Sequence, residues 1–140
     1  MPAFFPNSGC LKQAGEMQTV LENSKLRLFQ SSLNPSPSTL LADYVAAECD
    51  YDGYTPGGLT VTAFLDPISA PLGGAQIQAP TKQFTYVDGV GHVSNNVGGW
   101  FLCDAAGAVR AVGVLGSPVP MASNGDGLPI DVVLRFGNGQ

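Results

Sequence analysis

Lys25-Leu-Arg-Leu-Phe-Gln-Ser-Ser-Leu-Asn-Pro-Ser-Pro-Ser-Thr-Leu-Leu-Ala-Asp-Tyr44 carries a strand, a loop and a helix in succession. Residues 25 to 28 alternate polar and apolar, the pattern of a strand with one buried face, so Leu26 and Leu28 point inward and Lys25 and Arg27 outward. Asn34-Pro-Ser-Pro37 then holds the chain extended, because a residue before proline avoids the helical region. Ser38 or Thr39 is placed as an N-cap for a short helix near residues 39–47, with Leu40, Leu41, Tyr44 and Val45 on one apolar side. Nothing in the stretch has the pattern of a catalytic group.

Working outward, turn signals recur at strand-length intervals: Tyr54-Thr-Pro-Gly-Gly58, Asp66-Pro67, Pro71-Leu-Gly-Gly74, Asp88-Gly89 and Asp104-Ala-Ala-Gly107. Between them lie β-rich runs at 59–65, 75–79, 83–87, 97–104 and 108–115. Leu128 to Phe136 alternates most regularly, with Ile130, Val132, Leu134 and Phe136 on one face, and reads as a strand central to a sheet. Upstream, Glu16 to Glu22 reads as a strand with Met17, Thr19 and Leu21 on one face. It joins the strand at 25–30 through the turn signal Asn23-Ser24. Residues 1–13, with Pro2 and Pro6, read as an extended N-terminal arm displaying Phe4 and Phe5. The expectation is an all-β fold: an antiparallel β-sandwich of jelly-roll type, about eight strands with one short helix, over residues 14–140 as one domain.

Composition narrows the partners. Of 140 residues only 12% are charged, against 44% hydrophobic, and the net charge is -5. Such a chain folds rather than staying disordered, and so few charges suggest that part of its surface is covered in an assembly. The six Lys and Arg are scattered, so no basic patch for nucleic acid forms from neighbouring sequence, and the acidic balance argues against such a partner. No apolar run is long enough for a transmembrane helix. The start, Met1-Pro-Ala-Phe-Phe-Pro6, has neither the basic nor the apolar region of a signal peptide, so synthesis in the cytoplasm is expected. Cys10, Cys49 and Cys103 form no CxxC pair and read as small buried hydrophobes, without a zinc site.

Three constellations bear on chemistry. His92 is the only histidine, and a Cys–His pair with Cys49 or Cys103 would be a hydrolase arrangement. Neither cysteine has a nucleophile motif around it, so His92 reads as a loop residue and no catalytic residue is assigned. Asp50-Tyr-Asp-Gly53 and Asn124-Gly-Asp-Gly127 look like pieces of a calcium loop but lack its further ligands and closing glutamate. Asx–Gly turns give the same letters, so no metal is assigned, and no cofactor. Trp100 and Phe101, with Tyr44, Tyr51, Tyr54, Phe84 and Tyr86, offer rings for a sugar platform, although rings on strands usually pack the core.

Leu26-Arg-Leu-Phe29, Asn34-Pro-Ser-Pro37, Thr39-Leu-Leu-Ala-Asp43 and Gly53-Tyr54, followed later by Gly99-Trp-Phe-Leu-Cys-Asp-Ala-Ala-Gly107, resemble a family of small phage and prophage virion structural proteins. The resemblance runs, with gaps, over residues 25–115. Cys103 stands where that family has a hydroxyl residue, and Val109 to Val112 lacks its aromatic. The resemblance implies a virion structural protein, either head decoration (cement) on the major capsid protein or another accessory head or tail component; assembly as a homotrimer is the expectation set beside it. A tail-associated fibre or adhesin module binding carbohydrate is the alternative. Phe4, Phe5 and Leu11 are the expected capsid or subunit contacts.

Overall fold

The computed structural model describes residues 7–62, 64, 67–69 and 74–136. Its elements are α1 (Asn7–Leu21), β1 (Ser24–Gln30), α2 (Leu41–Ala46), β2 (Leu59–Val61), β3 (Ile68–Ser69), β4 (Ala75–Gln78), β5 (Lys82–Thr85), β6 (Asn95–Cys103), β7 (Val109–Met121), β8 (Gly127–Ile130) and β9 (Val133–Phe136). The fold is mostly β and every strand pairing is antiparallel. The strands form three small sheets, ordered β2-β1-β6-β7, β3-β4-β9 and β5-β8.

β1 is built as its alternation requires. Leu26 and Leu28 enter the main core with Leu102 and Val97 of β6, while Phe29 turns to the other side of the sheet. Each such buried Leu or Phe contributes about 1.5–3 kcal/mol from area removed from water. The main core is closed by Tyr51, Tyr54, Phe84, Tyr86, Ile77 and Val132 from the smaller sheets and loops, and by Cys10, Ala14 and Leu21 of α1.

Residues 7–13, expected in an extended arm, and residues 16–21, expected as a strand, instead form α1. Cys10, Ala14 and Leu21 are buried and Met17 is half-buried, a stripe at helical spacing. Thr19, which a strand would have turned inward with Met17 and Leu21, is exposed. Asn23, at φ 65°, takes the left-handed conformation that ends helices. The Asn23-Ser24 turn therefore links a helix to β1 rather than two strands.

The expected central strand at 128–136 is also corrected. It breaks at Asp131-Val132 into β8, paired with β5, and β9, paired with β4, each at the end of its sheet. The Val132 carbonyl still accepts the Ala79 N–H at 3.0 Å. Its inward row persists, with Leu128, Ile130 and Val132 buried and Leu134 and Phe136 packed against the core. Alternation reports which side meets the core and not how many strands lie alongside. Pro129, without an N–H to donate, suits an edge.

Candidate interaction surfaces

The outer face of the four-stranded sheet is covered by the chain leaving β1. Phe29, Phe101 and Cys103 make a second small core there, and Tyr44 of α2 inserts between the two rings, 6.1 Å from Phe29 and 5.0 Å from Phe101 by ring centroids. The loop before α2 holds itself: Thr39 Oγ1 accepts the Ser36 N–H at 2.8 Å, and the Ser36 carbonyl accepts the Thr39 N–H at 3.0 Å. The helix start falls one residue later than the expected caps, at Leu40, whose N–H is met by the Asp43 carboxylate at 3.2 Å.

The return from α2 is fixed by charge. Glu48 accepts from Arg27 Nε at 2.9 Å and from the far guanidinium nitrogen at 2.5 Å, and it also accepts the Tyr54 hydroxyl at 2.7 Å. Tyr54 Oη in turn accepts the Leu28 N–H at 3.2 Å. The Arg27 guanidinium lies 5.2 Å from the Phe101 ring centroid, a cation–π distance.

What this covering leaves outside is apolar. α2 was expected to bury Leu40, Leu41 and Val45 with Tyr44; it buries Tyr44 alone, and the other three are exposed. At 3.6 residues per turn the six residues of α2 make under two turns, and only Tyr44 among them faces squarely inward. Beside it, Pro35 and Pro37 of the loop, Tyr44, Val112 and Val114 line a groove of about 280 Å³.

A second exposed surface lies at the loop Val87–Ser94, held by neighbouring loops. Asp52 Oδ2 accepts the Gly89 N–H at 2.9 Å and the Val93 N–H at 3.2 Å. The Asp52 backbone pairs with Val87 and Val93, both at 3.0 Å. Asn124 Oδ1 accepts the Asp88 N–H at 2.7 Å, and Asp88 meets His92 Nδ1 at 2.6 Å. Thus Asp52 and Asn124, one from each calcium-like fragment, meet on one loop with their oxygens bound to its backbone amides. Asp50 Oδ1 instead accepts from the Asn95 side chain at 3.0 Å, and Asp126 Oδ2 from the amides of Ala122 and Ser123. Among the described residues no three His, Cys, Asp or Glu side chains group as metal ligands. The loop so held carries Val87, Val90 and Val93 into solvent, and Val90 is fully exposed.

Of the expected contacts, Phe4 and Phe5 lie outside the described residues, and Leu11 is a half-buried residue of α1 packed against the main core. His92 is exposed, whereas Cys49 sits in the main core and Cys103 in the outer one. Burial, with Asp50 and Glu48 nearby, pushes the Cys49 thiol up to about 12. Burial also raises Cys103, against the opposing pull of Arg27. The rings offered for a sugar platform are taken by packing: Tyr44, Tyr51, Tyr54, Phe84, Tyr86 and Phe101 are all buried, and Trp100 lies over Gly113. The exposed apolar residues of these two surfaces are aliphatic, in sequence patterns that suit a helix core, a strand or a glycine-rich turn. The chain matches no protein-family model, no curated protein and no solved structure.

Proposed function

We propose that this protein is a structural component of a bacteriophage virion, a head-decorating cement protein that docks on the shell formed by the major capsid protein. It works by contact and not by catalysis, is made in the bacterial cytoplasm, and acts as a homo-oligomer. The observation that carries the reading is the location of its apolar surface. Leu40, Leu41 and Val45, and separately Val87, Val90 and Val93, are exposed on segments fixed by hydrogen bonds. Pre-ordered apolar residues dock at low conformational cost. The motifs of residues 25–54 and 99–107 point the same way through their resemblance to virion proteins. A jelly-roll sandwich, as the finer description of the β architecture, belongs to this proposal.

The test uses heads from a virus in which the gene is deleted. Such heads are expected to rupture at lower temperature than wild-type heads and to regain resistance when purified protein is added. Unchanged rupture on deletion, with no gain on addition, would overturn the reading.

A further inference from the structure

We infer that the first half of β7, Val109 to Val114, is a strand-pairing edge for a second copy of this chain. β7 ends the order β2-β1-β6-β7 and pairs only with β6 among the described residues. Alternate N–H and C=O groups along 111–114, beyond the register shift at Arg110, therefore aim away from the sheet, and the partner chemistry that satisfies such a row is another extended strand.

The other sheet ends are guarded or short. β2 has three residues and β3 two. β5 begins with Lys82, β8 carries Pro129, and α1 packs along β9. Within β7 itself, Pro118 and Pro120 and the irregular stretch opposite Gly98 blunt the second half. Val109-Arg-Ala-Val-Gly-Val114 has no proline and no covering helix; its one charge and its one register shift, opposite Leu102/Cys103, both fall at Arg110, which leaves Ala111 to Val114 regular.

The row is also self-complementary. A two-fold axis through Val112, perpendicular to the sheet, sets Val112 against its own copy and Ala111 against Gly113, with Arg110, at the register shift, near Val114. No like charges face each other. Arg110, the single charge in the row, is already neutralised by its own Asp104 at 2.7 Å. A chain of net charge -5 thus offers a neutral edge for self-association. The same axis keeps both outer faces on one side. It brings together the two sets of Val112 and Val114, 38% and 66% exposed in one copy, flanked by Pro35 and Pro37.

This pairing does not depend on the head-decoration reading, and it predicts a two-fold assembly in place of the expected trimer. Sedimentation equilibrium of the full chain is expected to give twice the 14.5 kDa of one chain. The double variant Val112→Lys/Val114→Lys, which changes only exposed side chains, should halve that mass, while Val20→Lys, at an exposed position of α1, should leave it unchanged. Hydrogen exchange of the wild type gives a readout that needs no variant: amides at 110–114 should lose protection on dilution. A monomer, a trimer, or a dimer that the lysine pair does not split would overturn the inference. A dimer that fails to bind heads would overturn the head-decoration reading alone.

Discussion

Arg27 on the outward side of β1 grips Glu48 beyond α2 through two hydrogen bonds, 2.9 and 2.5 Å long, with both side chains mostly buried. This pair ties the two ends of the segment that crosses the sheet's outer face. Removing one partner leaves the other charged and poorly solvated, so Arg27→Ala or Glu48→Ala should cost about 3 kcal/mol, read from urea midpoints. The nearby tyrosines separate the effect further. Tyr54→Phe loses a hydroxyl bonded to both Glu48 and Leu28 and should cost about 1–2 kcal/mol. The buried Tyr51 hydroxyl has no hydrogen-bond partner among the described residues, so Tyr51→Phe should be neutral or mildly stabilising. Equal losses at the two tyrosines would contradict this.

Gly113 lies under the Trp100 indole. A Cβ there would come within 2.2 Å of the ring, closer than real contacts allow. Gly113→Ala should therefore displace Trp100, shift its fluorescence and cost about 1–3 kcal/mol. Gly107→Ala tests a different cause, because open space surrounds that position and only its φ of +90° is strained. It should lose stability with the Trp100 emission unchanged.

Asp104 gives the fold a defined acid response. Arg110 Nε donates to one of its oxygens, and the Ala108 and Ala106 N–H groups donate to the other, which holds the carboxyl below its ordinary 3.8. A depressed folded value means a contribution fully present above the unfolded value and lost as pH falls through the folded one. Asp104→Asn should lower the unfolding midpoint at neutral pH and narrow its difference from wild type below pH 3.8. A difference that stays constant across that range would contradict the assignment.

All three cysteines are buried, and the Cys49 thiol, pushed up to about 12, is protonated at neutral pH. Thiol-specific reagents should therefore modify the folded protein only at its opening rate and all three sites at once in denaturant. Rapid native labelling of any one of them would show that its core is open.

Much of this fold can be read from local pattern. β1, α2 and the runs that became β4, β5, β6 and β7 were legible because alternation and Gly/Pro turns act over a few residues. α1 was not legible: Cys10, Ala14, Met17 and Leu21 lie at helical spacing, but Met17, Thr19 and Leu21 also fit a strand, and only packing separates the two periods. The break of 128–136 into β8 and β9 was hidden, since both halves keep the same side inward while changing partners. The surfaces were least legible. Leu40, Leu41 and Val45 look like core residues in a helical pattern, and only the insertion of Tyr44 between Phe29 and Phe101 shows which side of α2 is inward. The loop that presents Val90 depends on Asp52 and Asn124, both distant in sequence.

The most direct test of the head-decoration account is binding of the purified chain to purified heads lacking it, followed by sedimentation over a range of concentrations. The account predicts saturable binding, at a fixed ratio to capsid subunits, that is sharply weakened by Val90→Asp or Leu41→Asp while the folded state of either variant is unchanged. Heads that bind none of the protein at any concentration, or bind both variants as well as the unaltered chain, would contradict it.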